Sequence, residues 1–307
     1  MSVSPAGSPG PAATPSRLEF QDVRSSDGTR LRAWTNDPEG TICGPTVLLC
    51  NGLGTSAWAW PAFLDPDCGV RVVSWNHRGT GGSDRPVDRD RVGIEEFAED
   101  GLAVLDHFGI DRAVLVGWSM GVNTMFEIAV RSPERVAGLF AVAGVPGDTF
   151  ATMLGPLRLP RAVAKGVAVG FARTLKYGGR LVTPVSTRLP VGRRAIDVVS
   201  HSGFMLPVSD PDLARRAVAA FLQTPIEWYF HIALHAARHP RIRLSRVSAP
   251  AVFVAGTWDV LAGARAMASA AERMDAAYHE LPGSHFLQME HPDQVHALLL
   301  EFLRRVG

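Results

Sequence analysis

The sequence predicts an α/β protein built on a mostly parallel sheet with helices on both faces. Three observations predict it. Short continuous apolar runs, such as Thr46-Val47-Leu48-Leu49-Cys50, fit strands buried on both sides. Amphipathic segments alternate with these runs, and alternation of that kind implies parallel strands joined by right-handed crossovers. Turn-forming residues close the runs, at Asn51-Gly52, from Asn76 to Asp84, and from Gly256 to Asp259.

The elements follow in order. The segments Arg17 to Val23 and Leu31 to Thr35 flank Ser26-Asp27-Gly28 and read as a hairpin. A turn-rich stretch from Asn36 to Gly44 leads to the Thr46–Cys50 strand. Asn51-Gly52-Leu53-Gly54 follows, with Trp58 and Trp60 read as part of a helix. Val70 to Trp75 is the next buried strand. Its Gly-rich loop, Asn76 to Asp84, lacks a phosphate-loop lysine and GxGxxG spacing, so a nucleotide site is not expected. Ile94 to Phe108 places Ile94, Phe97, Leu102, Leu105 and Phe108 opposite Glu95, Glu96, Glu99 and Asp100, the pattern of an amphipathic helix. Strands at Ala113–Val116 and Val136–Val145 enclose a helix from Val122 to about Arg131. After a long interruption the rhythm resumes. A strand at Ala251–Ala255 precedes a helix from Ala262 to Met274, a strand at Tyr278–Leu281 and a helix from Pro292 to Arg305.

Bulk properties bound the answer. The 307 residues can bury a large core, as one α/β domain or a domain carrying an insertion. A net charge of +1 gives no electrostatic reason to expect nucleic acid. The 3 cysteines, Cys43, Cys50 and Cys68, form neither a disulfide framework nor a zinc pattern, and a reducing cytoplasm is the expected compartment. Residues 1–16 are rich in Pro, Ala, Gly and Ser, without the basic and apolar regions of a signal peptide, and are expected to be a disordered tail. No segment has the length and apolarity of a transmembrane helix.

One stretch carries chemistry. Gly117-Trp118-Ser119-Met120-Gly121 lies between a predicted strand and a predicted helix. A sharp strand-to-helix turn strains the central residue and brings its neighbours at two-residue spacing close together, where glycine avoids collision. The serine hydroxyl is then held out beside a helix N-terminus whose free N–H groups favour negative charge. The competing reading is a tight turn with an ordinary serine.

Taken together, the motifs resemble the α/β-hydrolase superfamily, in its serine hydrolase branch with a cap domain. The residues that carry the resemblance are Asn51-Gly52 with its following Trp, Arg78-Gly79-x-Gly81-x-Ser83-Asp84, Gly117-x-Ser119-x-Gly121, Gly256-x-x-Asp259 and Gly283-x-His285. It covers about residues 17–147 and 245–305, in the order serine, acid, histidine. It implies the α/β-hydrolase fold, a sheet of about eight strands with an inserted helical cap. The expected domains are a core at 17–147 and 245–307 and a cap at 148–244. It also implies roles. Ser119 attacks, His285 is the base, and Asp259 orients the imidazole. The backbone N–H of Met120 and, by the resemblance, that of Leu53 stabilise the oxyanion. Many relatives have His-Gly where this chain has Asn51-Gly52, which removes any expectation about the side chain there.

Rival assignments exist for several residues. Asp148 follows the Val136–Val145 strand and competes with Asp259 as the acid; Asp259 is preferred because its turn matches. His291 precedes Pro292 and reads as a helix-start residue rather than the base. His77 reads as structural, and Trp58, Trp60, Trp75 and Trp118 as core or pocket wall. His231, His235 and His239 have helical spacing that could bind a metal, but no carboxylate completes an HExxH motif, so a metal is not expected; no cofactor is expected either.

The insertion is unusual in charge. From Thr149 to Ile196 there is no Asp or Glu, against nine Lys or Arg. It is rich in aliphatic residues and broken by Pro156, Pro160, Pro184 and Pro190. The plain reading is a lid with solvated cations; the sharper one is a lid that touches an anionic lipid surface or receives an acyl chain. The expected activity is hydrolysis of a carboxylic ester, thioester or acylglycerol, with an apolar acyl small molecule as substrate. Carbon–carbon bond hydrolysis and cofactor-free perhydrolysis are alternatives on the same residues, and a non-catalytic ligand-binding member is another. The serine argues against epoxide hydrolase and haloalkane dehalogenase chemistry, which on this fold uses an Asp nucleophile.

Overall fold

A computed structural model describes residues 18–147, 149–153, 160–188, 191–201 and 205–307. The expected tail at residues 1–16, and Asp148, Pro156 and Pro190, lie outside the described residues. Among the described residues, eight strands form one sheet: β1 (Glu19–Arg24), β2 (Arg30–Thr35), β3 (Thr46–Cys50), β4 (Arg71–Trp75), β5 (Ala113–Trp118), β6 (Val136–Val142), β7 (Ala251–Gly256) and β8 (Ala277–Leu281). Their order is β1-β2-β4-β3-β5-β6-β7-β8. β1 and β2 pair antiparallel, as do β2 and β4, and every other pair is parallel.

The strands alternate between two cores because successive side chains point to opposite faces. Leu48 and Cys50 of β3 enter one core, with side chains of α1 (Ile94–His107), α2 (Met120–Arg131) and α7 (Ala264–Arg273). Val47 and Leu49 enter the other, with side chains of α9 (Pro292–Val306). Burial on both faces explains why these strands read as unbroken apolar runs.

Among the described residues, four α-helices lie between β6 and β7: α3 (Arg161–Ser186), α4 (Arg193–Ser200), α5 (Pro211–Leu222) and α6 (Ile226–Ala236). A one-turn helix, α8 (Leu287–Glu290), precedes α9. Pro160 stands at the start of α3, where its missing N–H costs nothing, but Pro184 lies inside the last turn. With only two helical residues after it, the lost hydrogen bond does not end the helix earlier.

Two expectations change. The Trp58 and Trp60 segment is not an α-helix but two 3₁₀ turns, Ala57–Ala59 and Pro61–Leu64. Pro61 cannot donate into a continuous helix through that point. The β6 strand stops at Val142 rather than Val145, because Ala143 takes a left-handed backbone at φ 45° and turns the chain out of the sheet. Among the described residues, no helix is long and apolar enough to cross a membrane.

Candidate active site

The β5–α2 junction sets the site. Ser119 has φ 56° and ψ −119°, a conformation costly for a residue with a Cβ. Its backbone N–H donates to the Val142 carbonyl at 3.0 Å, tying the turn to the end of β6. At Gly121 any Cβ would fall into the carbonyl of Cys50, at the end of β3. The β3 turn therefore lies directly against the elbow. Trp118 supports the same contact, with its ring packed over Gly52.

Asn51 explains how this turn keeps its shape without the histidine common at that position. Its side-chain carbonyl accepts from the Gly52 N–H at 3.0 Å and from the Trp60 indole at 3.1 Å. Its amide donates to the Ser56 carbonyl at 3.1 Å. The Gly52 N–H is thus already engaged, and Leu53 is the next amide along the turn. Leu53 and Met120 are both buried and share one apolar cluster. Met120 opens α2, where backbone N–H groups have no partner inside the helix.

Asp259 and His285 come from the turns after β7 and β8. The Thr257 N–H donates to the Leu281 carbonyl and the Trp258 N–H to the Gly283 carbonyl, each at 3.0 Å. These bonds lace the two turns together. Asp259 is buried, and its Oδ1 accepts from the N–H groups of Leu261 and Ala262, each at 2.8 Å. The carboxylate is thereby held toward His285, whose Nδ1 lies 2.9 Å from Asp259 Oδ2. On the other side of the ring, His285 Nε2 lies 2.8 Å from Ser119 Oγ. The tautomer that satisfies both contacts has Nδ1–H donating to Asp259 and Nε2 accepting from the Ser119 hydroxyl.

Glu290, which the sequence did not single out, and Trp118 hold the His285 turn in place. Glu290, buried in α8, accepts from the Ser284 N–H at 2.7 Å and from the Ser284 hydroxyl. Its other contact is the Leu206 N–H, at 2.8 Å, which reaches into the insertion. The Trp118 indole donates to the His285 carbonyl at 2.9 Å, so a residue read as core or pocket wall also fixes the backbone of His285. A carboxylate so close after Gly283-x-His285 was the available signal for Glu290.

The rivals fall elsewhere. His291 precedes α9 and meets the Pro282 carbonyl at 3.2 Å. His77 is buried with its ring edge-on to Phe97, at 4.7 Å between centroids. Burial pushes its pKa down to about 4, so it is neutral near pH 7. His239 faces Glu127, apart from His231 and His235, which meet Asp90.

Helix α6 packs against this region. The Trp228 indole donates to the Arg78 carbonyl at 2.9 Å. Gly79 below it has φ 71°, and a Cβ there would enter the indole. The Gly-rich loop after β4 is therefore a seat for α6. Tyr229 packs against Gly54, and Leu53 and Met120 cluster with Phe150, Trp228 and Ile232. Apolar side chains of the core and of α6 thus cluster beside the elbow.

The comparisons with known proteins agree with this architecture. The family model for the alpha/beta hydrolase fold matches residues 45–292. The chain is 24% identical to epoxide hydrolase A of Mycobacterium tuberculosis, over 91% of this chain and 95% of that protein. It is 26% identical to a protein of Caulobacter sp. (strain K31) named for carbamate hydrolysis, over 84% and 90% of the two chains. Among solved structures, a thermophilic esterase from Thermogutta terrifontis superposes with a TM-score of 0.67 at 23% identity, covering 94% of this chain and 99% of that one. An enol-lactonase from Burkholderia xenovorans LB400 gives 0.67 at 22% identity, covering 93% and 100%.

Proposed function

The chain belongs to the alpha/beta hydrolase fold family, and we propose that it cleaves a carboxylic ester through an acyl-enzyme on Ser119. The observation that carries this reading is the unbroken line from Ser119 Oγ to His285 Nε2 at 2.8 Å and from His285 Nδ1 to Asp259 at 2.9 Å. A hydroxyl is a weak nucleophile until a base takes its proton, and this line supplies the base and its orienting carboxylate.

In this mechanism Ser119 Oγ attacks the ester carbonyl as its proton passes to His285 Nε2. Asp259 stays ionised and stabilises the imidazolium. The backbone N–H groups of Met120 and Leu53 receive the oxyanion; each such donor is worth about 2.7–4 kcal/mol of barrier. Collapse expels the alcohol, which takes the proton from His285. Water, deprotonated by the same imidazole, then releases the acid and restores Ser119.

Epoxide opening on this fold uses a carboxylate nucleophile, and the elbow here holds a hydroxyl. The apolar wall of Leu53, Met120, Phe150, Trp228 and Ile232 suits an apolar acyl group. In this reading residues 148–244 act as the cap over that group. The test is reaction with a fluorophosphonate probe and location of the adduct. The probe is expected on Ser119 and is expected to be lost in Ser119→Ala; labelling elsewhere would overturn the assignment. Esters of p-nitrophenol with increasing acyl length then define the substrate.

A specific observation supports a lipid-facing role for the insertion. Val163, Val167, Phe171, Leu181 and Val185 of α3 are all exposed, in a helix where the surrounding 149–196 stretch carries nine cations and no carboxylate. An apolar stripe of this size is expensive to leave in water. The stretch that carries it also holds no carboxylate to neutralise its cations. We propose that α3 instead rests on an anionic lipid surface, apolar side chains inserted and cations among the headgroups.

A further inference from the structure

Apart from Ser119, His285 and Asp259, a second group of chemically capable side chains joins the core to the insertion. His231 and His235 stand one turn apart on α6, with ring centroids 4.6 Å apart. Asp90 approaches from the loop between β4 and α1. Its Oδ1 lies 3.7 Å from His231 Nε2 and 3.4 Å from His235 Nε2. The donor atoms of all three residues fall within 4.8 Å of one another.

These separations have a chemical meaning. In a tetrahedral zinc site with bonds of about 2.0–2.2 Å, neighbouring donors stand roughly 3.3–3.6 Å apart. One of the two measured separations is at that edge length and the other is slightly longer. We propose that Asp90, His231 and His235 form a binding site for a divalent transition metal, zinc by preference, that fastens α6 to the core loop. Two imidazoles and a carboxylate favour zinc, nickel or copper over calcium and magnesium, which take oxygen donors.

The surroundings prepare the histidines. Their side chains are only 11% and 9% exposed, whereas that of Asp90 is 73% exposed. The rings are therefore held by packing, His231 tilted over Trp228 at 5.1 Å, and the carboxylate is free to swing onto an ion arriving from solvent. His231 Nε2 lies 2.8 Å from the Arg89 carbonyl. Binding exchanges that hydrogen bond for the metal bond, with the ring proton moving to Nδ1. Water completes the fourth position. The charges of Lys176, Arg89 and Arg238 bear on the same histidines and oppose a cation. The Asp90 carboxylate offsets them in part.

The location gives the site a consequence. The same helix carries Trp228, seated on the Arg78 carbonyl, and Tyr229, packed on Gly54 beside Leu53. An ion at Asp90 would restrain the helix that roofs Ser119. The helical spacing of His231 and His235 was visible in the sequence. Their carboxylate partner was not, because it comes from a loop before α1 rather than from the same helix.

The experiment uses tag-free, chelator-washed protein titrated with zinc, followed by calorimetry and thermal unfolding. The expected result is one zinc per chain and a rise in Tm of roughly 5 °C or more at a hundredfold excess over Kd. Cobalt in place of zinc is expected to give the visible absorption of a tetrahedral centre. All three signals are expected to vanish in Asp90→Asn, whose exposed side chain can change without disturbing the fold, and in His235→Gln. Absence of zinc uptake up to millimolar metal would overturn the proposal. So would uptake and a Tm rise that persist unchanged in both variants.

Discussion

Glu290 grips Ser284 twice, through its backbone N–H and its hydroxyl, one residue before His285. The turn that aims the imidazole is therefore set by a carboxylate that does not touch Ser119. Glu290→Ala releases both contacts. The expected outcome is a fall in kcat of about 10- to 100-fold with KM for a p-nitrophenyl ester nearly unchanged, since misplacing a base by an ångström costs that much. Fluorophosphonate labelling of Ser119 should slow in parallel. Glu290→Gln, which keeps an acceptor for the Ser284 N–H, should recover part of the rate. A fall confined to thermal stability would assign Glu290 a purely structural role.

In the proposed mechanism Asp259 holds His285 in one tautomer through the Nδ1 contact at 2.9 Å. Asp259→Asn presents an amide where a carboxylate is needed and favours the wrong tautomer. A loss in kcat of about 10⁴-fold is expected near neutral pH. Steady-state hydrolysis of a p-nitrophenyl ester measures it, and a loss under tenfold would place the functional acid elsewhere.

His77 makes stability depend on pH. Its folded pKa, lowered to about 4 by burial, lies below the ordinary value of 6.5. Between those values the unfolded chain binds a proton that the folded chain does not. Stability therefore rises with pH through that window and is lost as pH falls from 6.5 to 4, by about 3 kcal/mol in full. Denaturant midpoints at pH 7.5 and pH 4.5 test this. His77→Phe, which keeps a ring against Phe97, should shrink the difference between them; an equal difference in both proteins would remove His77 as its source.

Arg78 is fully buried and meets Asp100 through Nε at 2.9 Å and Nη2 at 2.7 Å, with Asp27 on Nη1 at 2.5 Å. Removing one partner leaves a buried charge undercompensated, which costs about 3–5 kcal/mol. Asp100→Asn is expected to lower Tm by roughly 10 °C while leaving kcat of the folded enzyme close to that of the parent. Thermal unfolding and an ester assay well below Tm check the two halves.

The exposed stripe on α3 predicts binding to vesicles. Co-sedimentation with vesicles containing phosphatidylserine, but not with neutral ones, is expected. It should fall strongly in a Phe171→Ser, Leu181→Ser variant and in an Arg173→Glu, Arg180→Glu variant, and weaken as salt rises. Equal sedimentation of the parent and both variants would remove α3 as the contact.

Much of this protein was legible in its sequence. The alternation of strands and helices and the turn at Ser119 follow from local patterns, and the family resemblance of their turns pointed to Asp259 and His285. Strands buried on both faces must be apolar throughout, and turns at strand ends must carry glycine and small polar residues. These requirements act on neighbours in the chain, so they leave a mark there. What only the tertiary structure decided involves residues brought together by packing. The grip of Glu290 on the His285 turn, the seat of Trp228 on Arg78, the Asn51 bonds that shape the Leu53 turn, and the approach of Asp90 to His231 and His235 are of this kind. Each depends on how two surfaces meet, with no periodicity to announce it. The ends of the Trp58 segment and of β6 belong here too, set by Pro61 and by the left-handed turn at Ala143 rather than by the apolar pattern alone.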